Sequence, residues 1–490
     1  MLLPFAEPFF GGGKTVGERA VALVGRAELG DARLNRRLEL VVEQWLDQPQ
    51  ATIPVACGSW AATRGAYRLL DNAAVIPEAL VAGVGQATVA RCPEGGVLLA
   101  IQDTTSIDYT AHQATTGLGP LEHPRHRGVV VHTTLAVTPD GTPVGILDQQ
   151  LWARDPATLG KSEQRAETPI EGKESAKWLR SLRTVTARVG HRCQVVTVAD
   201  READVYELFA LAAELDGDWL IRARHDRRLA NGTGGVEAAV AATPVLATQE
   251  VAVARQVNHP PRTALVEVRA LEVVLAPPGV KGKQAKAAWR LAHPDVAAVG
   301  PTQWGDLPVT VVLVTEPQPP MGTAPLHWLL VTSLPTPTIA AVLTCVHYYR
   351  LRWLIERFHY VLKSGCQVEE LQLETADRLE RALVIYSVVA AWLLEATYLA
   401  RTIPEAPATV ILDDDAWRVL LSLYYPHQPL PTQPPTVQET IRLIARLGGF
   451  LARKGDGEPG VKTIWRGFRR LNDMVFAWHH FTTVTNASLP

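Results

Sequence analysis

Apolar positions change their rhythm three times along this chain of 490 residues. Over the first stretch they recur at helical spacing. Leu34, Leu38, Val41, Val42 and Trp45 share one face of a segment that Asp31 can cap. Ser59 can cap the next helix, SWAATRGAYRLLDN, which carries Arg64, Tyr67 and Arg68 on neighbouring turns. From Val97 the texture becomes that of buried strands: VLLAIQD, then VVVHTTLAV and TPVGILDQQLWA joined by the turn PDGT. A helical stretch from Lys173 to Val189 leads into the strand CQVVTVAD, the helix READVYELFALAAE and the strand DWLIRAR. Such alternation predicts an α/β layer with some parallel pairing. Between His225 and Pro335, TALVEVRALEVVLA, PVTVVLVTE and LHWLLVTSL alternate with Pro and Gly, predicting a β-rich insertion. Helices return at Thr338 and run to the end, broken by PHQPLPTQPP. The expected organisation is a helical module over 1–90, an α/β layer over 95–225, the insertion over 226–335, a return to the layer over 336–400 and a helical tail over 401–490.

A hydrophobic content of 47% against 20% charged residues supports several folded cores in a chain of this length. Cys57, Cys92, Cys193, Cys345 and Cys366 stand singly, which predicts neither a disulfide framework nor a structural zinc site and fits the cytoplasm. The start, MLLPFAEPFFGGGKT, has no charged leader region, so no secretory signal is expected. The longest apolar run, Ala382 to Leu394, stops at Glu395, short of the roughly 20 residues that span a bilayer, so no membrane segment is expected. GGGKT resembles the tail of a phosphate-binding loop, but Pro8 stands where the first glycine belongs, and ATP use is not inferred. A net charge of −2 confines any nucleic-acid contact to local basic clusters. These occur at Arg33, Arg36 and Arg37, at Arg222 to Arg228, and around Arg350 to Lys363; as charge clusters alone they read as solvated faces.

Three acidic residues stand out. Asp103 and Asp200 each end an apolar strand, where α/β sheets commonly carry functional groups. Asp200 can instead cap the helix that follows, and Asp103, in QDTTSID, can instead form an Asx or ST turn. In YYRLRWLIERFHYVLK, Tyr349, Arg352, Glu356 and Lys363 fall within an arc of roughly 60° on a regular helix. Leu351, Leu354, Ile355, Phe358, Val361 and Leu362 gather on the other side. That face is either a charged surface with i, i+4 pairs or a carboxylate set among phosphate-holding groups. Hard carboxylates from separate elements are what two divalent ions require in phosphoryl transfer.

The order D-T-T, D-R-E-A-D, then Y-x2-R-x3-E-x6-K resembles the bacterial insertion-sequence transposases of the DDE type, Y-R-E-K subgroup. LGDARLNRRL, ATIPVACGSWAATRGAYRLLDN and LGGFLARKGDGEPGVKTIWRGFRRL extend the resemblance over nearly the whole chain. The resemblance implies an RNase H-like catalytic core with a β-rich insertion, flanked by a helical N-terminal DNA-binding domain and a helical C-terminal domain that dimerises. It implies catalysis and metal binding by Asp103, Asp200 and Glu356 with two Mg²⁺ or Mn²⁺ ions per site. Element ends would be cut through a hairpin and joined to target DNA, with double-stranded DNA and a second copy of the chain as partners in the nucleoid.

Tyr349, Arg352 and Lys363 would hold phosphates. Trp328 would stack on a flipped base, although a strand tryptophan can equally be core. Arg33, Arg36, Arg37, Arg64 and Arg68 are candidates for contact with the element end, some of them salt-bridged instead. Two other readings compete: a domesticated DNA-binding protein that no longer cuts, and another RNase H-like nuclease.

Overall fold

The computed structural model describes residues 15–123, 125–158, 170–253, 261–279 and 305–487, with side chains as far as 481. Lys14 of the GGGKT segment lies outside them, and Thr15 forms a capping box with Glu18 at the start of helix α1 (Val16–Val24). The chain divides into two compact units, Met1–Glu94 with Thr104–Pro156 and Leu354–Pro490, and Gly95–Asp103 with Ala157–Trp353.

The first unit begins with the expected helices. Asp31 caps α2 (Ala32–Asp47) by accepting from the Arg33 N–H at 2.8 Å, and Leu38, Val41, Val42 and Trp45 are buried. After the short α3 (Ile53–Cys57), Ser59 caps α4 (Trp60–Asp71), whose buried side is Thr63, Ala66, Leu69 and Leu70. Helix α5 (Pro77–Arg91) completes the module.

Strand β1 (Val97–Asp108) runs five residues beyond VLLAIQD, and its far half lies beside β3 (Arg127–Val137). A short β2 (Gly119–Pro120) and the long β4 (Pro143–Trp152) flank β3, the hairpin turning at Gly141 with φ 91°. The Ala382–Leu394 run belongs to a longer helix, α11 (Ala376–Thr402), and does not end at Glu395. This helix is long and apolar enough to cross a membrane, but 94% of its most apolar stretch is buried in the fold. It packs on α5 and β4, Tyr386 stacks on Trp45 with ring centroids 4.1 Å apart, and the buried Glu395 meets Arg91 at 2.9 Å. Helices α12 (Asp414–Tyr424), α13 (Val437–Leu447) and α14 (Val461–Ala487) form the tail. There α13 and α14 approach backbone to backbone, since a Cβ on Gly467 would lie 1.8 Å from the Ile444 carbonyl oxygen.

In the second unit the first half of β1 pairs in parallel with β5 (Gln194–Ala199), and β5 with β6 (Asp218–Arg222). Helices α6 (Ala176–Val189) and α7 (Tyr206–Glu214) cover this layer, with Phe209 stacked on Trp219 at 4.0 Å. The β-rich segment extends the same sheet. Strand β10 (His327–Thr332) pairs antiparallel with β6, followed outward by β9 (Leu307–Thr315), β8 (Arg262–Leu275) and β7 (Ala247–Val253). A short helix α8 (Val236–Ala241) packs against β8 and β9.

Candidate active site

The parallel register of β1 and β5 is the base of the site. Leu99 pairs with Val196 and Ile101 with Val198. Two residues further along each strand come Asp103 and Asp200, on the same side of neighbouring strands spaced about 4.8 Å. The alternative turn at Asp103 does not form, because TTSID continues β1 to Asp108. Asp200 does cap a short 3-10 turn (Arg201–Ala203), accepting from the Glu202 N–H at 2.9 Å, yet it stays partly exposed. Capping and an open carboxylate coexist, since a carboxylate has about four acceptor positions.

The second Asp of D-R-E-A-D has a different role. Asp204 is buried and accepts from the backbone N–H groups of Arg224 (2.7 Å) and His225 (2.9 Å) and from Arg227 Nε (2.8 Å). It ties the turn that follows Asp200 to the loop after β6.

Helix α9 (Ile339–Leu351) packs on β5, β6 and β9 and brings up the cations. Arg352, which ends it, points Nη1 to within 3.9 Å of Asp103 Oδ2, the two side chains being 17% and 20% exposed. Tyr349 does not lie on an exposed face as its polarity suggests. It is buried, with its ring edge-on to Trp328 at 5.2 Å and its phenol within electrostatic reach of the Arg222 guanidinium. Burial raises the phenol pKa above its ordinary value; Arg352 and Arg222 oppose the shift and Asp200 adds to it. Burial likewise lowers the Arg222 guanidinium, against the pull of Tyr349. Arg222 also donates to the His327 carbonyl at 2.7 Å. Its partnership with Tyr349 is not legible in the sequence, because the two are far apart in the chain. Trp328 itself is only partly buried on β10.

Glu356 lies partly exposed on the next helix, α10 (Trp353–Tyr360), with Leu354, Ile355 and Phe358 buried beneath it. The helical arithmetic fails after this. Residues Val361–Gly365 form a π-turn, a feature that recurs at functional sites and turns each residue through less than 100°. Lys363 therefore falls off the regular face. Its Nζ donates to the Ser106 carbonyl at 2.6 Å and stands 3.6 Å from Glu369. Ser106 in turn donates to Glu122 at 2.9 Å.

Of the N-terminal candidates, Arg33 pairs with Asp31 at 2.8 Å and Arg36 with Glu39 at 3.1 Å. Both pairs are exposed, and such pairs exchange readily for a phosphate. Arg37 is partly buried against Gly65, while Arg64 and Arg68 are exposed on α4.

Asp103 and Asp200, hard oxygen donors on adjacent strands, fit a divalent cation of the Mg²⁺ or Mn²⁺ type. Among the described residues no group of three or more His, Cys, Asp and Glu side chains is gathered into a cage. A cation, Arg352, stands 3.9 Å from Asp103.

Comparison with known families divides the chain into three. A model described as transposase DNA-binding matches residues 20–75, one for the transposase DDE domain matches 171–394, and one for the transposase Tn5 dimerisation domain matches 388–482. Asp200, Trp328, Tyr349, Arg352, Glu356 and Lys363 fall within the DDE match, and Asp103 precedes it. The mixed sheet beneath them is an RNase H-like core. The helical module at the start binds DNA, and the helical tail is a homodimerisation domain. With carboxylates on neighbouring strand ends and three family matches in the order such an enzyme requires, the chain belongs to the Tn5-like DDE transposases, which cut DNA in a divalent-metal-dependent reaction.

Proposed function

We propose that this transposase moves its element by cut and paste, with Asp103, Asp200 and Glu356 as the catalytic and metal-holding carboxylates. The observation that carries the reading is the β1–β5 register, which levels Asp103 with Asp200, together with Arg352 on the open side of Asp103. Glu356 is proposed as the third ligand because it follows Arg352 by four residues in the Y-x2-R-x3-E-x6-K run and stays partly exposed on α10. Two bound Mg²⁺ or Mn²⁺ ions would supply activation of the attacking oxygen and stabilisation of the leaving one.

The remaining work falls to the chain. Arg352 offers a fixed positive charge to the scissile phosphate, and the Arg222–Tyr349 pair braces the helix that carries it. Lys363 holds the adjacent phosphate once it leaves Ser106 and Glu369. Trp328, partly exposed beside Tyr349, stacks on a base drawn out of the duplex. In sequence, water cuts one strand, the freed 3′-hydroxyl attacks the opposite strand to leave a hairpin, and the reopened end attacks target DNA. Arg33, Arg36, Arg37, Arg64 and Arg68 contact the element end, and the dimer holds two such ends together in the nucleoid.

The test is cleavage of a labelled duplex carrying the flanking ends of the element, with Mg²⁺ or Mn²⁺. The parent is compared with Asp103→Asn, Asp200→Asn and Glu356→Gln. Nicks and hairpins formed by the parent, abolished by EDTA and lost in each variant while end binding persists, support the reading. Cutting that survives any of the three removes that residue from the mechanism. Parent binding without cutting favours a domesticated DNA-binding protein.

A further inference from the structure

Helix α14 is amphipathic in an unusual way. Ile464, Trp465, Phe468 and Leu471 are buried: Trp465 packs against Gly365 and Tyr360, and Phe468 meets Trp392 with ring centroids 5.3 Å apart. Arg466, Arg469, Arg470 and Asp473 lie at offsets of 0, 3, 4 and 7 on the outward face, all exposed. They border a cavity of about 520 Å³ with Gln50, which follows α2, and Gln367, which follows the π-turn of Lys363. Segments from the DNA-binding, DDE and dimerisation matches therefore line one cleft.

The charges in that cleft are unbalanced. Among the described residues Asp473 is its only acidic lining residue, and it already accepts from Gln48 Nε2 at 2.8 Å. Arg470 is anchored through Nη1 to the Leu447 carbonyl at the end of α13, so its remaining N–H groups are held in position. No acidic side chain among the described residues lies within ion-pair reach of Arg466 or Arg469. Gln367 holds φ at 51°, a left-handed backbone that few non-glycine residues adopt.

Three guanidiniums on one rigid face, with amide side chains beside them, match a row of phosphate oxygens, which Arg binds in bidentate fashion. The cleft is too polar for an apolar ligand, and two arginines without acidic partners favour a polyanion over a single carboxylate. We propose that the Arg466–Arg469–Arg470 face of α14 is a second DNA site, one that grips the phosphodiester backbone without reading its sequence and lies outside the catalytic carboxylates. The inference rests on the reading of the chain as a DNA-binding enzyme. The backbone gripped belongs either to the element end or to the target, two sources with the same chemistry.

The experiment uses the full-length chain with Arg466→Gln and Arg469→Gln combined, leaving the Arg470 anchor intact, and the Lys double variant as a charge-retaining control. Binding is measured against salt for two duplexes, one with the element end and one of unrelated sequence, and strand transfer is measured separately. The Gln variant should bind about tenfold more weakly at moderate salt. Its log–log salt slope should be shallower by roughly 2, one for each phosphate that is no longer neutralised, and Lys should restore most of the affinity. A weakening confined to the element-end duplex identifies the element as occupant; a weakening on the unrelated duplex and in strand transfer identifies the target. Unchanged affinity and slope on both duplexes, while the parent binds the element end, overturns the site alone. Abolished self-association with unchanged DNA binding also overturns it and assigns the face to a protein interface. A parent that binds no duplex overturns this inference together with the DNA-binding reading.

Discussion

Arg352 stands 3.9 Å from Asp103, occupying with its guanidinium the flank of the carboxylate proposed to hold a metal ion. A fixed cation there both repels an incoming divalent ion and stabilises the charge that develops on the phosphate. Arg352→Gln should therefore bind Mn²⁺ at least as tightly as the parent, followed by paramagnetic resonance, while cleavage of the element end falls about 100-fold. Cleavage within twofold of the parent would remove Arg352 from the phosphate-holding role.

Tyr349 joins two parts of the site, its ring against Trp328 and its hydroxyl in the field of Arg222. Tyr349→Phe keeps the ring packing but removes a partner from a half-buried guanidinium. The expected cost is about 1–2 kcal/mol of stability in urea unfolding, with a reduction in cleavage that Trp328→Phe does not reproduce. Equal effects of the two substitutions would show that packing, not the hydroxyl, matters here.

Asp204 is buried four residues after Asp200, accepting from two backbone N–H groups and from Arg227. Asp204→Ala leaves Arg227 and both N–H groups without their acceptor, a loss of roughly 3–5 kcal/mol. Urea unfolding should reveal it as a lowered midpoint, while Asp200→Asn, at a partly exposed position, should stay within about 1 kcal/mol of the parent. The reverse order would mean that the roles of the two aspartates have been exchanged.

Burial raises the Glu395 carboxyl from 4.5 to about 7, against the opposing charge of Arg91. Burial also raises Asp47 and Glu380 to about 7. With folded pKa values above the unfolded ones, the folded chain holds more protons between pH 4.5 and 7. Stability thus falls as pH rises through that window and levels off above it. Glu395→Gln should flatten part of this slope, by a margin on the order of 1–3 kcal/mol, in urea titrations at pH 5 and pH 7.5. A slope identical to the parent's would show that Glu395 does not titrate in that range.

Local signals carried far in this sequence. Asp31 and Ser59 cap the helices their positions suggest, because a cap depends only on the next few residues. Apolar runs located β1 and β5, and with them both aspartates. What escaped was nonlocal. The polar TTSID left a turn open as an alternative because β3, which lies beside it, begins well downstream. Tyr349 counted as polar, yet it is buried, with its ring edge-on to Trp328 and Arg222 acting on its hydroxyl. The π-turn at Lys363 broke a periodicity that assumed a regular helix. Glu395 marked the apparent end of an apolar run, whereas Arg91, 304 positions away, allows it to lie inside a buried helix. The β-rich segment was legible as strands but not as an extension of the main sheet, since β6–β10 pairing has no local signature.

Neither compact unit is a continuous stretch of chain; the path passes between them after residues 94, 103, 156 and 353. The unit begun by the first helices lacks its remaining part until Leu354 and everything after it has been made. At roughly 5–20 residues per second, the approximately 200 residues from Ala157 to Trp353 impose a wait of about 10–40 s on a nascent chain whose apolar faces are already outside the ribosome. That interval is when chaperones have most to hold. A gene interrupted before α10 consequently produces an unclosed unit with exposed apolar surface, a substrate for proteolysis and not a smaller working protein.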